Sequence, residues 1–157
     1  MTRYRAMFLR FALVLLAFVG GTGAGLASRA GDDLVFGNVQ EQTKQFIEYQ
    51  RTIQLTPEQE AVKKEALSKI PAPCCSDNSA YTCCCPCNMA KAIWGMSAYL
   101  ITEKGADAAT VRKKTEEWVK LINPDGFPGD TCYTGGGCGK AFAHDGCGGM
   151  SADRLVF

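Results

Sequence analysis

The chain is expected to fold as a mainly α, small domain of three to four short helices, with a Cys-rich knuckle and an irregular Gly/Cys-rich C-terminal loop. Three observations predict this. Segments between residues 39 and 122 carry apolar residues at helical spacing, several with recognisable caps. Nine of the 157 residues are cysteine, and all nine lie beyond residue 73. Nine glycines fall within residues 123–150, a density that gives turns and close backbone approach instead of regular structure.

The elements follow in order. Residues 1–30, "MTRYRAMFLRFALVLLAFVGGTGAGLASRA", read as a secretory signal peptide. Arg3, Arg5 and Arg10 form a positive start, Phe11 to Val19 an unbroken apolar run, and cleavage would suit the bond after Ala27 or after Ala30. The competing reading is an uncleaved membrane anchor over residues 11–28, about the shortest length that spans a bilayer. Four glycines at 20, 21, 23 and 25 weaken that span. Either way the domain lies outside the cytoplasm, periplasmic or secreted.

Residues 31–38, "GDDLVFGN", look like a linker, and residues 39–157 form a single Cys-rich helical domain. "VQEQTKQFIEYQRTI" from Val39 to Ile53 is a helix with a ragged apolar stripe of Val39, Phe46, Ile47, Tyr49 and Ile53. Thr56, Pro57 and Gln59 make a capping box with proline in the first turn. That helix should run to about Lys69 and bury Ala61, Val62, Ala66 and Leu67, before "IPAP" stops it. A third helix starts at Cys87 or Asn88 and runs through Lys104, with Met89, Ile93, Met96 and Leu100 inward and Gly105 as its stop. Asp107 caps a fourth, with Val111, Trp118, Leu121 and Ile122 inward, ended by Asn123-Pro124. The methionines and aromatics on these faces are core residues.

Charge excludes some functions. Residues 1–30 hold four of the 17 Lys+Arg and no acid, so the rest carries 13 against 16 Asp+Glu, a net of −3. Such a chain has no electrostatic footprint for nucleic acid. No Ser/His/Asp set, paired catalytic carboxylates or phosphate loop is present, which argues against an enzyme.

The cysteines carry the chemistry. Runs of adjacent cysteines, Cys74-Cys75 and Cys83-Cys84-Cys85, suit simple stapling poorly, because neighbouring side chains point apart. A soft-metal site is the sharper reading, since thiolates select Cu(I) or Zn. Cys83, Cys85 and Cys87 form C-x-C-x-C, which in an extended chain sets three sulfurs on one side, roughly 6–7 Å apart. Cys84 and Cys87 have the spacing of zinc knuckles, and a helix start at Cys87 favours its thiolate. Cys74, Cys75 and Cys84 come next as ligands, and Cys132, Cys138, Cys147 and His144 could complete the shell. His144, the single histidine, is otherwise an ordinary turn residue. A metal-exchange partner is implied; a membrane is a partner only if the signal segment is retained.

Two other readings stand beside it. One is a disulfide-stapled structural or partner-binding domain, natural for an exported chain. The other is a thiol–disulfide oxidoreductase, because "CCPC" at 84–87 precedes a helix. No apolar β-run precedes that motif and no βαβ pattern follows it.

"LTPEQEAVKKEALSKIP", the C-x-C-x-C and "MSAYLITEKGADAATVRKKTEEW" together resemble the exported bacterial proteins named for a P-C-Y-C-G-C motif. The resemblance covers about residues 55–122. Cys83, Cys85 and Cys87 match the motif's cysteines, whereas Thr82, Cys84 and Pro86 stand where it has Pro, Tyr and Gly. It implies an exported Cys-rich domain.

Overall fold

A computed structural model describes residues 31–73, 75–83, 85–124, 139–144 and 146–157. The expected signal segment or anchor, Cys74, Cys84 and residues 125–138 with Cys132 and Cys138 lie outside the described residues. The chain forms α1 (Val39–Thr52), α2 (Pro57–Leu67), β1 (Pro71–Ala72), β2 (Cys75–Ser79), α3 (Asn88–Lys104) and α4 (Ala108–Ile122), then a 3-10 turn at Phe142–His144. The protein is mainly α, with four helices among the described residues. None of these helices is long and apolar enough to cross a membrane.

Helix α3 is central. Eleven of its 17 residues are buried, which is the pattern of a helix covered on most sides. Its predicted stripe of Met89, Ile93, Met96 and Leu100 is fully enclosed. Gly105 ends it in the left-handed region at φ 61°, where a glycine carries no Cβ penalty. Helix α1 lies along α3 in the most extensive helix pair. They come this close because residue 95 is glycine. A Cβ there would overlap the Phe46 carbonyl oxygen and stand 2.6 Å from the Gln50 nitrogen.

Helices α2 and α4 pack against each other and against α3. The capping box at the start of α2 forms as predicted, with Thr56 Oγ1 accepting from Gln59 N at 3.3 Å and Gln59 Oε1 accepting from Thr56 N at 2.9 Å. Asp107 caps α4 by accepting from Thr110 N at 2.7 Å. Trp118 of α4 is fully buried, its ring centroid 5.1 Å from that of Phe46.

Several expectations are corrected. Residues 31–38 are no spacer: Leu34 and Phe36 pack against the core, and the Phe36 ring lies 5.2 Å from Trp118. Helix α2 stops at Leu67, two residues early, and Ala61 is exposed, because the burying face runs through Ala66 and Leu67. Leu121 is 44% exposed; Trp118 and Ile122 define the inner face of α4. An antiparallel pair, β1 with β2, also forms at the start of the Cys-rich stretch, matching Pro71 to Ser79 and Ala72 to Cys75. The sequence there has no apolar alternation to announce it.

Candidate functional site

The cysteine-bearing backbone leads from β2 to α3. Cys75 opens β2 and is fully buried; Asn78 Nδ2 approaches its sulfur at 3.2 Å. The turn that follows is tied by Ser79 and Thr82, whose side chains accept from each other's backbone N–H at 3.1 and 3.2 Å. Trp94 of α3 donates its indole N–H to Ala80 O at 2.8 Å, pinning this turn to the helix. Tyr81 beside it is held above its ordinary phenol value, first by burial and then by a hydrogen bond with Glu60.

Cys83 and Cys85 are half-buried. The Cys83 thiol donates to Cys85 O at 3.6 Å, and Cys87 N donates to Cys85 O at 2.7 Å. The second bond spans two residues and curls the chain at Pro86. Residues 85–87 are therefore bent, not extended. Cys87 is fully buried and stands at the N-cap of α3, with φ −70° and ψ 168°.

The start of α3 is capped from the C-terminal tail. Cys87 provides no side-chain cap, and the first N–H groups of a helix need partners from elsewhere. Gly149 O accepts from Asn88 N at 2.9 Å, and Cys147 O accepts from Met89 N at 3.1 Å. Between them Gly148 O accepts from Asn88 Nδ2 at 2.8 Å, and the same nitrogen donates to Ser151 O at 2.8 Å. Lys91 Nζ adds a bond to Met150 O at 2.6 Å. The tail keeps this path because Gly148 has φ 72° and a side chain there would strike the Phe142 ring.

Cys147 is fully buried, and it shares the core cluster with Cys87. The tail segment 147–151 and the end of the knuckle are thus neighbours across about 60 residues of chain. His144, by contrast, is exposed on the 3-10 turn. Among the described residues no group of three or more Cys, His, Asp or Glu side chains comes together in a way that could hold a metal ion. Cys87 lies in the core, whereas Cys83 and Cys85 are half-buried. Cys74, Cys84, Cys132 and Cys138 lie outside the described residues.

An open groove of about 460 Å³ lies between the α1–α2 connection and α3, with Gln50, Leu55, Pro57, Glu60, Lys63 and Trp94 on its walls, and none of the described cysteines lines it. Sequence reasoning missed Asn88 as a structural centre. The available signal was a polar residue between Cys87 and Met89, at the head of a helix otherwise apolar on its inner face. No protein-family model matches the chain, and no curated protein or solved structure is significantly similar to it.

Proposed function

We propose that this chain is an exported protein that binds a soft metal ion, Cu(I) or Zn, through cysteine sulfurs. Cys83, Cys85 and Cys87 are the inner donors, with Cys74, Cys75, Cys84, Cys132, Cys138, Cys147 and His144 as the remaining candidates. The observation that carries this reading is the density of sulfur at one place: four cysteines in five residues, immediately before a helix N-terminus. Thiolates prefer such ions over hard cations. Cys83 and Cys85 are half-buried, nearer the surface than Cys87. Export is supported by the Arg-rich, apolar, small-residue start of the sequence and by the resemblance to exported Cys-rich proteins.

The test is protein isolated from outside the cytoplasm without chelator. Elemental analysis should find copper or zinc, and changing Cys83, Cys85 and Cys87 together to Ser should remove it. Equal metal in the triple variant would refute this donor set. A disulfide-stapled structural or partner-binding domain is the second reading. It is favoured by the complete burial of Cys75, Cys87 and Cys147, which is how structural cysteines sit.

A further inference from the structure

Residues 31–37 form a strap that is held as a bound peptide would be. Asp32 Oδ1 pairs with Lys113 Nζ at 2.7 Å and with Lys114 Nζ at 3.6 Å, and Asp33 Oδ2 pairs with Lys104 Nζ at 2.9 Å. Beyond the two acids the side chains alternate. Leu34 and Phe36 pack against the core, whereas Val35 between them is 78% exposed. That is the period of an extended segment laid on a surface. The Phe36 ring lies 5.2 Å from Trp118, and the Lys114 ammonium stands 5.9 Å from its centroid. Among the described residues the strap's one backbone–backbone bond is internal, from Leu34 N to Gly31 O at 3.4 Å. Its grip on α3 and α4 is therefore a grip of side chains, and the same side chains would fit this segment arriving from another molecule.

The bend that leads from the strap into α1 is bracketed by one side chain. Gln42 Oε1 accepts from Gly37 N at 2.8 Å, and Gln42 Nε2 donates to Val35 O at 2.9 Å. We propose that the seat made by Lys104, Lys113, Lys114 and Trp118 exchanges its strap for that of a second copy of this chain, and that Gln42 is the residue that keeps the strap on its own molecule. This goes beyond the soft-metal reading and uses no cysteine. In a closed, two-fold swapped dimer each strap keeps its contacts with a seat, and what is given up is the bend. A hinge as short as residues 37–38 gives the folded-back strap an effective concentration in about the millimolar range. The Gln42 bracket adds to that advantage, because its two bonds form only when the chain turns back on itself. The occupant is a second copy because two acids followed by Leu34 and Phe36, in that order and spacing, already match the three ammonium groups and the aromatic wall.

The experiment mixes two full-chain variants. Asp32→Lys/Asp33→Lys reverses the strap, and Lys104→Glu/Lys113→Glu reverses the seat; Lys114, buried beside Glu117, is left in place. Each variant sets like charges against each other within its own molecule and between its own copies. Only a mixed pair restores opposite charges, and it does so at both seats. At low ionic strength the mixture should sediment as a dimer at a concentration where either parent is monomeric, and added salt should reverse this. A mixture no more dimeric than its parents overturns the proposal. A second arm leaves the charges alone. Gln42→Ala should raise the dimerisation constant by at least about tenfold, since two hydrogen bonds that oppose exchange are lost in each copy. Phe36→Ala in that background should abolish the gain. Gln42→Ala that stays as monomeric as wild type, or a dimer that survives Phe36→Ala, also overturns the proposal. Metal content enters neither arm, so failure of the soft-metal reading leaves strap exchange standing.

Discussion

Gly95 shows how one missing carbon positions two helices. A Cβ there would meet backbone atoms of Phe46 and Gln50, which cannot rotate away as a side chain does. Gly95→Ala is therefore expected to push α1 off α3 and cost about 3 kcal/mol, the upper part of the overpacking range. A fall in urea midpoint with an unchanged slope checks it; an unaltered midpoint would show that the helices can separate freely. Polar residues tell a related story. Thr43 and Ser97 are buried because each hydroxyl donates to a carbonyl one turn back, Val39 O at 2.7 Å and Ile93 O at 2.7 Å. Apolar periodicity does not reveal such residues. It also misjudged Leu121, whose neighbours Trp118 and Ile122 already fill the inward face of α4.

At the scale of elements, capping chemistry was legible before any coordinates, because it depends on two or three adjacent residues. Thr56→Ala removes half of the capping box and should lower stability by about 1 kcal/mol, read from thermal or chemical melts. Segment 31–36 was not legible, since its attachments are to residues some 70 to 80 positions away. Asp32 pairs with Lys113 at 2.7 Å and Asp33 with Lys104 at 2.9 Å. Both carboxyls are held below their ordinary value of 3.8, Asp32 chiefly by its bond with Lys113 and Asp33 by its bond with Lys104. Groups lowered in this way contribute stability that is complete above the ordinary value and is lost as pH falls through the folded value. Lys104, raised by Asp33, works from the other side: its contribution is complete below 10.5 and fades as pH rises through the higher folded value. The segment should thus stay clasped across neutral pH, and on the acid side its hold on Phe36 beside Trp118 should weaken only below 3.8. Trp118 fluorescence in a Trp94→Phe background reports it, and release already complete at pH 5 would contradict the ion-pair account. Processing belongs to the same scale. The exported chain should begin at Ser28 or Gly31, and an intact mass retaining Met1 would favour an anchor over a cleaved signal.

For the whole molecule, local pattern reveals most of the helical scaffold and little of the sulfur chemistry. Apolar spacing and cap residues located α4 and the end of α3, and left the start of α3 between Cys87 and Asn88. They could not foresee that the tail caps α3, because that contact is made by backbone carbonyls, which any sequence supplies. Nor does spacing fix a sulfur's partner, because each cysteine can serve in a thiolate site or in a bond. The two states do, however, leave different masses. If thiolates hold a soft ion, protein prepared without chelator or added oxidant should carry copper or zinc, with several thiols alkylated after metal removal and before any reductant. Stripping the metal should also loosen the fold, since metal-binding energy in a small domain is folding energy. If disulfides dominate, the intact mass should instead be lower by about 8 Da, two hydrogens for each of four bonds, with one alkylatable thiol left by the odd cysteine count. Denaturation would then respond to reductant and not to chelator. The second mass, found with no bound metal, would end the metal reading and leave a domain whose buried cysteines serve its own architecture.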